Sequence, residues 1–151
     1  MDLNTIPDAF ASDLQRFFLA TPPVTIDPKR LRLQNETEEL PCPRLVILSG
    51  EPARIPKMDG TARVPVSLEI VTSLDRSYVE THRSLAGAMQ SWWIALRSQK
   101  LSESAFARCY MHDFLVFPPS TVERARGEHR EQVTTLRAEA ILTLFAEPEL
   151  I

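Results

Sequence analysis

Thr135-Leu136-Arg137-Ala138-Glu139-Ala140-Ile141-Leu142-Thr143-Leu144 is the stretch on which the fold turns. Leu136, Ala138, Ala140, Leu142 and Leu144 alternate with Thr135, Arg137, Glu139, Ile141 and Thr143. Successive side chains of an extended chain point to opposite faces, so this period of two predicts a long strand over 132–145 with a buried face. Val64, Val66, Leu68 and Ile70 repeat the pattern against Pro65, Ser67 and Glu69. Pro65 donates no ladder hydrogen bond, which places it at a strand start or an edge. Ser67, Glu69, Arg137 and Glu139 give the far face a polar character, suited to water or to another polar surface.

Outward from these two runs, Arg44-Leu45-Val46-Ile47-Leu48 is a short continuous apolar run between Pro43 and Ser49-Gly50. It predicts a strand buried on both faces. Phe114-Leu115-Val116-Phe117, halted by Pro118-Pro119, predicts a fourth strand. Between the first two strands, Pro52, Pro56 and Asp59-Gly60 mark turns. The charged stretch 120–129, with Gly127, predicts a loop or a mobile hairpin tip.

Two helices are expected. Phe10, Leu14, Phe17 and Phe18 form one apolar stripe over 7–20, with Thr5 and Asp8 at capping-box spacing and Pro22-Pro23 as the stop. Ser77 and Glu80 cap a second helix over 78–97, whose stripe is Tyr78, His82, Leu85, Met89, Trp92 and Leu96. Gly87 inside it costs about 1 kcal/mol relative to Ala, a cost expected to be offset by close approach of a neighbouring backbone. Residues 101–108 are expected to add a short helix. The whole reads as one α+β domain over 1–151. Its antiparallel sheet of about four strands, two hairpins, is packed by an N-terminal helix and one long central helix. Residues 22–43 read as an extended, Pro-rich arm that buries little within its own chain.

Composition narrows the classes. The 151 residues are 44% hydrophobic and 25% charged with a net charge of -3, as in an ordinary globular domain. No apolar run approaches the roughly 18 residues of a membrane span, and the start lacks the basic and apolar regions of a signal peptide. The charge balance gives no electrostatic footprint for nonspecific nucleic-acid binding, and no specific nucleic-acid binding is expected. Cys42 and Cys109 form no CxxC pair; they read as two thiols in a reducing compartment, with one long-range disulfide as the alternative. Nine of the 12 prolines fall at or before Pro65, and there are only 4 glycines. Few glycines make a phosphate-cradling loop hard to build, and no nucleotide, hydrolase, zinc or calcium motif is present.

Single residues offer little chemistry. His82 lies on the helix stripe and reads as core. His112-Asp113 are neighbours on a strand and are expected to face opposite sides. His129 sits beside Glu128 and near Glu131, a surface salt-bridge setting. Glu36, Glu38 and Glu39 read as a solvated loop. Of Trp92-Trp93, about 100° apart on a helix, one is expected in the core and the other at its margin, open to a protein contact. No catalytic residue, cofactor or metal is expected. A small enzyme or ligand-binding domain is the alternative from another class; His82, His112, Glu69 and Asp113 would have to converge in a pocket.

The order of the segments resembles the tail terminator, or tail completion, proteins of long-tailed bacteriophages. Leu40-Pro41-Cys42 leading into Leu45-Val46-Ile47-Leu48, then Arg63-Val64-Pro65-Val66-Ser67-Leu68-Glu69-Ile70, His82-Arg83-Ser84-Leu85 and Val133-Thr134-Thr135-Leu136-Arg137 carry the resemblance across 40–145. Pro118-Pro119 departs from it, standing where a Gly-containing turn is expected. The resemblance implies a structural virion protein, made in the host bacterial cytoplasm and active without an enzyme site. It would form a homo-oligomeric ring, commonly a hexamer, at the head-proximal end of the tail. Its partners would be the tail tube protein and the head-tail connector proteins, with DNA passing through the ring and no membrane involved. A head-side connector of the neck is the neighbouring reading. Val24, Ile26, Leu31 and Leu33 of the arm, Met58 and Asp59 of the first hairpin, and Arg124 and Arg126 of the charged loop are the expected contact residues.

Overall fold

The computed structural model of the chain describes residues 6–20, 31–33, 43–56, 61–74, 79–96 and 109–144. The elements are α1 (Ile6–Ala20), β1 (Leu31–Leu33), β2 (Arg44–Ser49), β3 (Ala53–Arg54), β4 (Thr61–Ser73), α2 (Val79–Ala95), β5 (Cys109–Val116), β6 (Ser120–Arg126) and β7 (His129–Leu144). The class is α+β, as the sequence predicts. Among the described residues the sheet has seven strands rather than about four, in the order β1-β2-β4-β7-β5, with β3 also on β4 and β6 also on β7. β1 runs parallel to β2; the other pairings are antiparallel.

The two alternating runs become the centre of the sheet. β4 and β7 pair without a shift from Thr61↔Thr143 to Ser73↔Glu131. At about 3.3 Å per residue this ladder is about 40 Å long. Its even-numbered positions point to the core: Ala62, Val64, Val66, Leu68 and Ile70 on β4, and Leu136, Ala138, Ala140 and Leu142 on β7, are all buried. Small alanines lie opposite valines, Val64↔Ala140 and Val66↔Ala138, which leaves depth for the helix side chains above them.

α1 covers β1 and β2, while α2 covers β4 and β7. The α1 stripe buries Phe10, Leu14 and Phe18. Pro7 stands in the first turn, where a missing N–H costs nothing, and Asp8 there meets the positive end of the helix. On α2, Trp93 is fully buried and meets the Phe114 ring edge-on, with centroids 4.9 Å apart. Trp92 is sandwiched from the other helix: Phe17 stacks at 6.2 Å and Phe18 meets it edge-on at 5.6 Å.

Both flanks of the central ladder are lined by interrupted strands. β2 and β3 share one flank of β4, and β5 and β6 share one flank of β7. The breaks fall near prolines, because a ring nitrogen cannot donate to the ladder. Single bonds bridge them: Gly50 N–H donates to Pro65 O at 2.8 Å, and Phe117 N–H donates to Arg137 O at 3.0 Å.

Besides the strand count and Pro65, which stands inside the central strand β4 at the break between β2 and β3 rather than at a strand start or an edge, five expectations change. Residues 120–126 are strand β6, paired residue for residue with β7, rather than a loop. Its side chains are largely exposed on both faces, so no alternation betrays it in the sequence. Part of the arm is strand β1, whose Leu31 is buried in its own core. β2 buries Leu45 and Ile47 but leaves Val46 and Leu48 half-buried, so one face only is sealed. Gly87 has open space where a Cβ would stand, and no neighbouring backbone approaches it. Trp92 and Trp93 are both buried, so neither ring stands at the margin of the core for a partner. The helix expected over 101–108 lies outside the described residues, as does Cys42.

Candidate functional site

The four groups that an enzyme reading needs are dispersed. His82 projects from α2 toward the core side of the sheet, where Nδ1 lies 2.7 Å from Thr72 Oγ1 and Nε2 lies 2.7 Å from Thr134 Oγ1. Thr134 Oγ1 is in turn 2.9 Å from Thr121 Oγ1. A neutral imidazole donates through one nitrogen and accepts through the other, and rotating hydroxyls serve both. Burial holds the His82 pKa below its ordinary value. His82 is thus a polar tether fastening α2 to both central strands.

Glu69 and Asp113 lie on the opposite face. Their partners on β7, Thr135 and Ile141, are six residues apart, which is about 20 Å along the strand. A bulge between Met111 and Asp113 interrupts β5. It breaks the expected alternation, so His112 and Asp113 share the outer side. There His112 Nε2 lies 2.6 Å from Thr143 Oγ1, and the Asp113 carboxylate accepts from its neighbour Phe114 N–H at 2.8 Å. Among the described residues no three His, Cys, Asp or Glu side chains gather as a metal site would need. No described helix is long and apolar enough to cross a membrane.

The outer face carries a charge lattice. Arg44 on β2 pairs with Glu131 on β7 at 2.8 Å, with both side chains buried. Arg124 on β6 reaches the same Glu131 at 3.4 Å and Glu69 on β4 at 3.6 Å. Arg63 and Glu139 pair across the other end at 3.4 Å. These contacts cross-link four strands, so Arg124, expected as a contact residue, also works within its own sheet.

Among the described residues, two features stand out at opposite edges of the sheet. One is a cleft of about 570 Å³ between the start of α1 and the β1–β2 edge. Its apolar lining includes Ala11, Leu33, Ile47 and Pro52, and Asp8 and Glu51 stand at its rim. The other is the β6–β7 hairpin. Gly127 closes it at φ 61, a left-handed conformation that favours glycine. Val122 there is 56% exposed, more than any other large apolar side chain among the described residues. Of the expected contact residues, Leu31 is in the core and Leu33 lines the cleft; Arg124 and Arg126 lie on the hairpin. Val24, Ile26, Met58, Asp59 and the glutamates at 36, 38 and 39 lie outside the described residues. The sequence did not single out the cleft, since its walls come from three separate segments.

No protein-family model matches the chain, and no curated protein does. A solved structure whose name describes no activity is similar at 16% identity, over 99% of each chain, with a TM-score of 0.49.

Proposed function

We propose that the chain is a structural subunit of a bacteriophage tail, a terminator or completion protein that joins the tail to the head connector. One observation carries the reading. Apart from Leu40-Pro41-Cys42, outside the described residues, the segments that resemble that family fall, in order, on β2, β4, α2 and β7. These are the two central strands, the strand beside them and the helix that covers them. A match confined to scattered loops would carry no such weight.

The mechanism is assembly without bond chemistry. Subunits meet through sheet edges and the hairpin, and a closed ring covers edges that a lone sheet leaves unpaired. One ring face ends growth of the tail tube and the other receives the connector. The hexameric count, the tube and connector partners and the place in the virion rest on the resemblance alone.

The test is a tube-growth assay. Purified chain added to polymerising tail-tube protein is expected to bind tube ends and shorten the length distribution seen by electron microscopy. Unchanged lengths with no bound chain would refute the proposal. A reconstruction placing the ring on the head side of the junction would convert it to the connector reading.

A further inference from the structure

We propose that His82 is a pH-operated latch: when its ring takes up a proton, the first turns of α2, residues 79–84, leave the sheet while the β4–β7 ladder stays paired. The inference goes beyond the assembly reading and stands apart from it.

The hydrogen bonds admit a proton. Nδ1 and Nε2 of His82 each lie 2.7 Å from a threonine hydroxyl, Thr72 Oγ1 and Thr134 Oγ1. In the neutral ring one nitrogen donates and the other accepts. In the charged ring both donate, so both hydroxyls accept, and Thr134 turns its own hydrogen toward Thr121 Oγ1 at 2.9 Å. No hydrogen bond is lost on charging. What opposes the charge is burial: His82, Thr72 and Thr134 are at most 5% exposed, and a pair of hydroxyls is no counter-ion.

The charges around the ring do not offset that burial. Both ring nitrogens are taken by hydroxyls, so no carboxylate bonds them. Among the described residues, the charged groups on the side of β6 and β7 that His82 faces are Glu123 and Arg130, opposite in sign and both exposed to water. β4 presents Ile70 and Thr72 there. Glu69 and Glu131 lie on the outer face, in ion pairs with Arg124 and Arg44. On α2 itself the neighbouring Arg83 is exposed. Burial therefore dominates and holds the ring below its ordinary pKa. A lifted turn returns the ring to water and to that ordinary value, so protons taken up as pH falls below it favour the lifted form.

The latch also stands where α2 is held least. Among the described side chains of α2, His82 is the first that is buried, and the buried apolar anchors Leu85, Met89, Trp92 and Trp93 all follow it. Helix ends open locally at far lower cost than the whole fold. Lifting residues 79–84 gives up the His82 tether and leaves Trp93 against Phe114.

Amide hydrogen exchange of the full chain tests this, followed by NMR from about pH 7.5 to about pH 5 and corrected for the intrinsic pH dependence of exchange. Amides 83–86, which bond to carbonyls 79–82, are expected to lose protection by about tenfold or more across that range, while β4 and β7 amides keep theirs. In His82→Asn, which has no ring to charge, protection at 83–86 is expected to stay flat with pH. Should that variant fail to fold, the ring-carbon shifts of His82 in the parent chain decide instead, and they are expected to titrate in step with the loss at 83–86. Unchanged protection over the range overturns the latch. So does a loss shared equally by the central ladder, a loss that persists in His82→Asn, or a ring that titrates at a pH apart from the loss.

Discussion

Gly87 sits on the exposed side of α2, with nothing within 4 Å of where a Cβ would stand. Glycine in a helix gives up more backbone freedom than alanine and gains nothing here in return. Gly87→Ala is therefore expected to stabilise the chain by about 0.5–1 kcal/mol, measured by urea unfolding. A loss of stability would mean that an approaching backbone does need the gap. His82 gives the opposite lesson. The periodicity put it on the core side of the helix correctly, but no spacing in the sequence named Thr72 and Thr134 as its partners. Those lie on strands 10 and 52 residues away. Because burial lowers its folded pKa, the unfolded chain takes up the proton first. The stability from neutral His82 is full above the ordinary value of 6.5 and declines as pH falls below it. Unfolding free energies followed from about pH 7.5 to about pH 5 are expected to fall less steeply for His82→Asn than for the parent chain. Equal slopes would remove His82 from the account.

Strands β4 and β7 were legible because over 62–70 and 135–142 one face of each is sealed and the other is not, so burial wrote a period of two into the residues. The same reasoning explains why β6 was missed. Thr121, Val122, Glu123, Arg124 and Ala125 are all exposed, and the backbone ladder to β7 holds them in place instead of a buried face. Backbone pairing leaves no mark on side-chain pattern. The charge lattice was equally silent, since Arg44 and Glu131 stand 87 residues apart. Their burial makes a sharp expectation possible. Glu131→Ala leaves the Arg44 guanidinium without its buried carboxylate and is expected to cost about 3–5 kcal/mol. The double change Arg44→Met with Glu131→Leu is expected to cost far less, because neither charge then has to be desolvated. Chemical denaturation of the three proteins compares them, and additive losses would show that the pair is not coupled.

For the molecule as a whole, class and core followed from composition and periodicity, whereas the open surfaces did not. A cleft needs three segments brought together, and an exposed hairpin is a property of position in the sheet. One property of that sheet reaches beyond the finished fold. β7 is the last of the described strands in the chain, yet β5 and β6 pair with no other described strand and one whole flank of β4 is paired by it. On the ribosome, β1 to β4 can pair among themselves, but β5, β6 and the other flank of β4 wait for β7. Separations of this size between paired residues slow folding, and unpaired strands invite wrong neighbours. The chain's birth is thus gated by its own final third: until His129–Leu144 emerges, the long central ladder has only one rail.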